Sequence, residues 1–308
     1  MLIYLKLLLT AIFWGGTFIA GRIVAQDVGP FSAAFFRFMI ASVFLLFFTY
    51  KLEGKFGLPQ KGQWIPVFLL GMTGVFSYNV FFFKGLKIIS AGRAAVIIAC
   101  NPIFIALLSA YFFKEKLNLI KVFGIIISVI GAVIVITKGN LNSILADNLG
   151  WGEIFIFGCV ISWVAYSLIG KAVMEGLSPL ASVSYSAVIG AGFLFFPAYF
   201  EGALHHFRYY SMIEWLSLFY LGFFGTVIGF VWYYQGIKAL GPTKASLFIN
   251  FVPISAVLLA FLILKEPITP SLLAGTILVC SGVYLTNATF NKKDKLVQRR
   301  PGPSHLNR

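Results

Sequence analysis

Residues 85–131 read GLKIISAGRAAVIIACNPIFIALLSAYFFKEKLNLIKVFGIIISVIG, and residues 236–282 read GIKALGPTKASLFINFVPISAVLLAFLILKEPITPSLLAGTILVCSG. The two lie over each other at a constant offset of 151 without a gap. Gly85 meets Gly236, Lys87 meets Lys238, Ala94 meets Ala245, Ile98 meets Ile249 and Pro102 meets Pro253. The pair Lys114-Glu115 meets Lys265-Glu266, and Gly124 and Gly131 meet Gly275 and Gly282. Within each copy a run of twenty residues, 94–113 and 245–264, carries no acidic or basic side chain. At about 1.5 Å rise per residue, a helix of that length crosses the hydrocarbon core of about 30 Å. The chain therefore holds two copies of a membrane hairpin, one in each half.

Composition agrees. Of 308 residues 59% are apolar and only 11% charged, with a mean hydropathy of +0.92. A soluble chain carries roughly 25% charged residues, so the lipid bilayer is the partner this composition requires. The net charge of +14 does not point to nucleic acid. Lys292, Lys293, Lys295, Arg299, Arg300 and Arg308 follow the last apolar run, and most other basic residues punctuate the joints between runs. That placement suits topology control and anionic headgroups. Cys100, Cys159 and Cys280 lie in apolar runs without paired spacing or companion histidines, so no disulfide framework, metal or cofactor is expected. No phosphate-binding Gly-x-x-x-x-Gly-Lys loop occurs. An intramembrane enzyme would need an acid, base or nucleophile constellation, and no apolar run holds a His or an acid pair.

Ten apolar segments follow one another, at about 3–24, 30–50, 64–84, 91–113, 119–137, 150–170, 179–200, 213–234, 243–264 and 270–289. The first can direct its own insertion without a cleaved leader. The early parts of the halves match at an offset of 149, placing Trp14 on Trp163 and Pro30 on Pro179. The repeat is thus five helices, expected over 1–138 and 150–289, with a basic disordered tail over 290–308. Five is odd, so the second copy enters the membrane inverted, and such repeats place a binding site where they meet. The predicted fold is an all-α polytopic membrane protein of two inverted five-helix repeats. With both termini inside, 16 Lys and Arg face the cytoplasm and seven face out, the sense the positive-inside rule demands.

The two halves resemble the paired repeats of the drug/metabolite transporter superfamily, specifically its ten-helix EamA-type members. The resemblance runs from Trp14-Gly15-Gly16 to Gly282. Its most specific pieces are Phe36-Arg37-Phe38, Ala91-Gly92-Arg93-Ala94 and Lys114-Glu115, with Pro242-Thr243-Lys244-Ala245 and Lys265-Glu266-Pro267 in the second half. One departure is Ser186, which stands in the seventh helix where the second has Arg37. The resemblance implies secondary transport of a small organic metabolite by alternating access, commonly export of amino acids or related compounds from a bacterial inner membrane. A binding, assembly or sensor protein of the same fold, moving no solute, is the alternative.

Arg37 is the one charge well inside a helix. Such a charge costs about 3 kcal/mol on insertion and is a functional candidate by default. Its guanidinium fork suits a substrate carboxylate. A tie to helix-end carbonyls, or a side chain snorkelling outward, is the competing reading. Asn79, Asn101, Gln235 and Asn250 are uncharged polar groups in apolar helices that either line a cavity or bond between helices. Pro102 and Pro253 cannot donate to the carbonyl four residues back and interrupt their helices at matching depth. Trp14, Tyr78, Trp163, Tyr166 and Trp232 are candidates for an aromatic-lined substrate pocket, while Tyr233 and Tyr234 read as interface residues near a helix end. Glu153 is expected at headgroup level, and Glu115 and Glu266 in structural roles. The fifth and tenth helices, with small-residue faces and few polar groups, read as scaffold or as the face of a homodimer.

Overall fold

The computed structural model describes residues 2–54, 58–113, 119–136, 139 and 150–288. Lys114, Glu115 and the basic tail lie outside the described residues. The described residues form ten long helices in order: α1 (Leu2–Asp27), α2 (Pro30–Glu53), α3 (Trp64–Ile88), α4 in two pieces (Ala91–Ile98 and Asn101–Phe113) and α5 (Leu119–Ile136). The second half repeats them as α6 (Trp151–Val173), α7 (Pro179–Phe200), α8 (Met212–Leu240), α9 in three pieces (Pro242–Ser246, Leu247–Asn250 and Phe251–Leu264) and α10 (Pro270–Ala288). No strand occurs among the described residues. Eight segments are long and apolar enough to cross a membrane, and α5 and α10 add the shorter apolar stretches Val122–Val135 and Pro270–Gly282.

Local chemistry sets the ends. Pro30 and Pro179 open α2 and α7, where a missing N–H costs nothing. Ser178 caps α7 by accepting a hydrogen bond from the Ala181 amide at 2.9 Å. Gly54 ends α2 with φ 70°, a left-handed conformation that favours glycine.

The helices pair as an inverted repeat requires. α2 packs on α7 and α5 on α10, each the other's counterpart; α3 packs on α6 as α8 packs on α1, and α4 packs on α6 as α9 packs on α1. All-round apolar helices leave large side chains such as Phe123, Phe196 and Leu262 facing outward, the surface lipid covers. The small faces of α5 and α10 are spent within the chain. A Cβ on Gly131 would sit 2.8 Å from the Gly275 carbonyl oxygen, and Ser128 donates to the Val279 carbonyl at 3.1 Å.

Two irregularities recur in both halves. Gly71–Ser77 in α3 and Leu221–Ile228 in α8 are widened π-type turns. The offset of 151 superposes them, Gly71 on Gly222 and Gly74 on Gly225. α4 is interrupted at Ala99 and Cys100, just before Asn101-Pro102, while α9 tightens to a 3₁₀ turn over Leu247–Asn250 just before Pro253. One correction belongs here: Tyr233 and Tyr234 are not interface residues but buried, because α8 runs on to Leu240 and carries them toward the core.

Candidate functional site

The widened turns prepare the site. A π-type turn shifts carbonyls out of the regular ladder, and short polar side chains pick them up. Asn79 donates from Nδ2 to the carbonyls of Gly74 at 3.2 Å and Val75 at 2.8 Å, which turns its Oδ1 outward. Thr226 gives its hydroxyl proton to the Leu221 carbonyl at 2.9 Å, leaving its lone pairs free. Into these two acceptors Arg37 donates, from Nη1 to Asn79 Oδ1 at 2.9 Å and from Nε to Thr226 Oγ1 at 3.0 Å. Close approach is possible because α8 has glycine there: a Cβ on Gly222 would lie 2.8 Å from the Arg37 carbonyl oxygen. Arg37 as a whole is only 2% exposed, so its side chain does not snorkel. It also lies over the Phe38 ring, 5.4 Å from the centroid. Among the described residues no carboxylate pairs with it, and its Nη2 makes no hydrogen bond.

Arg37 lines a cavity of about 30 Å³ at the junction of the repeats. α1 contributes Trp14, Thr17 and Phe18; α3 contributes Tyr78 and Phe82; α4 contributes Ile98 and Asn101. From the second half come Trp163 of α6, Phe230 of α8, and Ile249 and Val252 of α9. The volume holds a water or two and no organic solute, so this is a state closed around its centre. Trp14 and Trp163, matched by the repeat, meet edge to face with centroids 5.1 Å apart. Trp14 Nε1 donates to the Gly225 carbonyl at 2.9 Å. The Oδ1 of Asn101, 1% exposed at the residue level, has no hydrogen-bond partner.

Of the sequence candidates, Trp14, Arg37, Tyr78, Asn101 and Trp163 line this cavity, and Asn79 stands directly behind Arg37. Tyr166 is set back. Its ring lies 5.3 Å from that of Trp163 and its hydroxyl is 3.2 Å from Ser186 Oγ. Trp232 and Gln235 line a different cavity of about 550 Å³, at the face where α1 begins. There Lys6 Nζ donates to Gln235 Oε1 at 2.8 Å, and Glu53, Leu180 and Val227 complete the wall. Asn250 lines neither; its carbonyl accepts from Cys280 Sγ at 3.4 Å. The sequence reading missed Thr17, Phe18, Phe82, Thr226 and Phe230. Carrying the 151 offset upstream of Gly85 to Gly74 and Gly225 would have exposed the widened turns and Thr226 beside one of them. Nothing local marks the three phenylalanines among the chain's 34.

On the opposite, far face, two acids singled out in the sequence find partners, and so does Arg22. Glu153 is not a free headgroup-level acid, because burial of the start of α6 against α4 pairs it with Arg93 at 2.8 Å. Glu266 accepts from the amides of Ala91 and Gly92 at 3.1 and 3.3 Å, capping α4 from the other repeat. Arg22 donates from Nη1 to the carbonyls of Leu86 and Ile89.

Fold and site together define a ten-helix membrane protein of inverted repeats with a polar-and-aromatic cavity at their junction. The chain belongs to the EamA-like transporter family, whose sequence pattern matches residues 1–137 and 150–288. It is accordingly a multi-pass membrane transporter. It is similar to "Uncharacterized transporter YyaM" of Bacillus subtilis (strain 168), 31% identical over 288 residues covering 94% of each chain. It is likewise similar to an "Uncharacterized transporter" of Archaeoglobus fulgidus, 30% identical over 283 residues covering 92% of this chain and 97% of that one. A "WAT1-related protein At3g02690, chloroplastic" of Arabidopsis thaliana is 26% identical, covering 89% of this chain and 67% of its own length. One solved crystal structure, 20% identical, aligns over 92% of this chain and 96% of that one with a TM-score of 0.66, a likeness of fold alone.

Proposed function

We propose that the protein is a secondary carrier that moves a small carboxylate-bearing metabolite, an amino acid or a related compound, by alternating access. The observation that carries the reading is the Arg37 side chain: buried in the wall of the cavity between the repeats, held by Asn79 and Thr226, and with no carboxylate beside it among the described residues. A charge kept in such a place without a protein counter-ion suits an anionic ligand that arrives and leaves. Asn101 offers an unengaged acceptor on the same cavity for an ammonium or hydroxyl donor. Trp14, Tyr78 and Trp163 supply apolar walls. Tyr166 supports Trp163, and Pro102 and Pro253 set the helix interruptions that shape the floor. Trp232 and Gln235 serve the approach from the face where α1 begins, which the positive-inside rule assigns to the cytoplasm of a bacterial cell. Export is the direction this favours. A homodimer through the outward faces of α5 and α10 is part of the same reading.

The test is flux. Purified protein in liposomes loaded with radiolabelled amino acids, singly and as a mixture, should release at least one of them faster than empty liposomes do. Release equal to that of empty liposomes for every amino acid and simple carboxylate would leave the non-transporting binding or sensor reading in its place.

A further inference from the structure

The cavity beside Lys6 has a two-fold counterpart on the far face. By the repeat offsets, its Lys6, Leu180, Val227, Trp232 and Gln235 correspond to Phe155, Phe31, Phe76, Phe81 and Lys84. Those positions are filled, not open. The ring pairs Phe31–Phe76 and Phe81–Phe155 each have centroids 6.3 Å apart. Lys84 Nζ lies over both Phe31 and Phe155, 5.4 and 5.6 Å from the centroids. Leu52 and Glu53 correspond to Glu201 and Gly202. The Glu201 carboxylate at the end of α7 accepts from Ser32 N and Ser32 Oγ, both at 2.6 Å, and from Phe31 N at 3.4 Å. On the near face the position equivalent to Glu201 is Leu52; the next residue, Glu53, accepts one bond, from Ser178 Oγ at 2.5 Å, and the cavity of about 550 Å³ stands open beside it.

We propose that Glu201 is the latch of the far mouth, and that the solute path runs from the cavity beside Lys6 to its sealed counterpart at Phe31, Phe81 and Lys84. A carboxylate at a helix start is held by amide donors and by the positive end of the helix dipole. Every hydrogen bond the Glu201 carboxylate accepts crosses from the second repeat to the first, so parting α2 from α7 at the far end breaks all three together. This inference rests on the alternating-access reading above, and the experiment separates the two.

The full-length protein, with Cys100, Cys159 and Cys280 replaced by serine or alanine, is reconstituted with one reporter cysteine. Ser77→Cys reports the far mouth, and Ile228→Cys, at the equivalent position, reports the near one. A membrane-impermeant maleimide applied from each side should label the near reporter and spare the far one. Glu201→Gln and Glu201→Ala should raise far-side labelling about tenfold or more, the scale of losing charge-assisted bonds, and lower near-side labelling in step. If far-side labelling is unchanged in both variants yet rises when an equimolar mixture of amino acids is added, the mouths alternate and Glu201 is not the latch. If neither reporter changes with variant or amino acids, alternating access fails and the latch with it. A rise of both reporters together, with a lowered melting temperature, means Glu201 only holds the fold and also overturns the proposal.

Discussion

Arg37 and Ser186 occupy equivalent places in the two repeats and have opposite surroundings. Around Arg37 stand Asn79 and Thr226, two acceptors that hold a charge. Their counterparts are Phe230 and Val75, and Ser186 donates instead to the carbonyl of Val183 at 2.9 Å in its own helix. A Cβ on Gly225 would meet the Thr17 methyl at 2.6 Å, and on its counterpart Gly74 it would collide with the ring of Tyr166, the counterpart of Thr17. Duplication thus supplies two pockets of the same backbone shape, and divergence has made one polar and the other aromatic. A symmetric cradle would suit a symmetric solute. This one has a charged end and a ringed end, which agrees with the proposed solute that carries a carboxylate at one end.

The hardest test of that contrast removes the charge. Arg37→Ala should cut flux of a carboxylate solute by about 100-fold, the worth of a charge-assisted bond near 3 kcal/mol. Arg37→Lys keeps a charge but loses the planar fork and should fall between, near tenfold. Initial rates in liposomes decide it, and full flux in the alanine variant would make the arginine scaffold. Next comes Asn101→Leu, which should uncouple stability from activity. Deleting a buried acceptor that nothing satisfies should raise stability by about 1–3 kcal/mol, seen as a higher melting temperature in detergent, while flux drops. Asn79→Leu leaves the guanidinium held by Thr226 alone. A KM higher by about tenfold is expected, from about 1.4 kcal/mol of lost positioning. Thr226→Val installs the residue its counterpart Val75 already is. A change of about threefold suits an intramembrane hydrogen bond of about 0.6 kcal/mol. Smallest is Ser186→Ala, within about 0.5 kcal/mol in stability and without effect on flux. A large effect there would mean that both pockets touch solute.

Much of the fold was legible because it rests on run length and repetition. The twenty-residue runs, the offset of 151 and the odd helix count need no tertiary information. The site was legible in part. Arg37 stood out as a lone charge in an apolar helix, and Trp14 and Trp163 stood out as a matched pair. Thr226 did not, since a threonine in a membrane helix is unremarkable until a widened turn re-aims it. Trp232 and Gln235 were grouped with the central residues because sequence does not show which way each face of α8 turns: the adjacent Phe230 and Val231 line different cavities. Tyr233 and Tyr234 were misplaced for the same reason. Glu266 read only as a structural helix-end acid, and Glu201 was not singled out, because the amides they cap lie 169 to 175 residues away.

What the amino-acid sequence determined by itself is the solvent, the number of crossings, the duplication and hence the inversion. Each follows from local quantities, namely apolar run length, charge at the joints and the parity of five. Only the tertiary structure decided which acceptors hold Arg37, which face carries the cavity beside Lys6 and which amides Glu201 caps. Those outcomes depend on contacts between helices far apart in the chain, and many pairings of equally apolar faces are compatible with one hydropathy pattern. In lipid, where apolar burial no longer discriminates between faces, close packing at glycines and a few polar bonds make the choice, and neither is visible until the helices are in place.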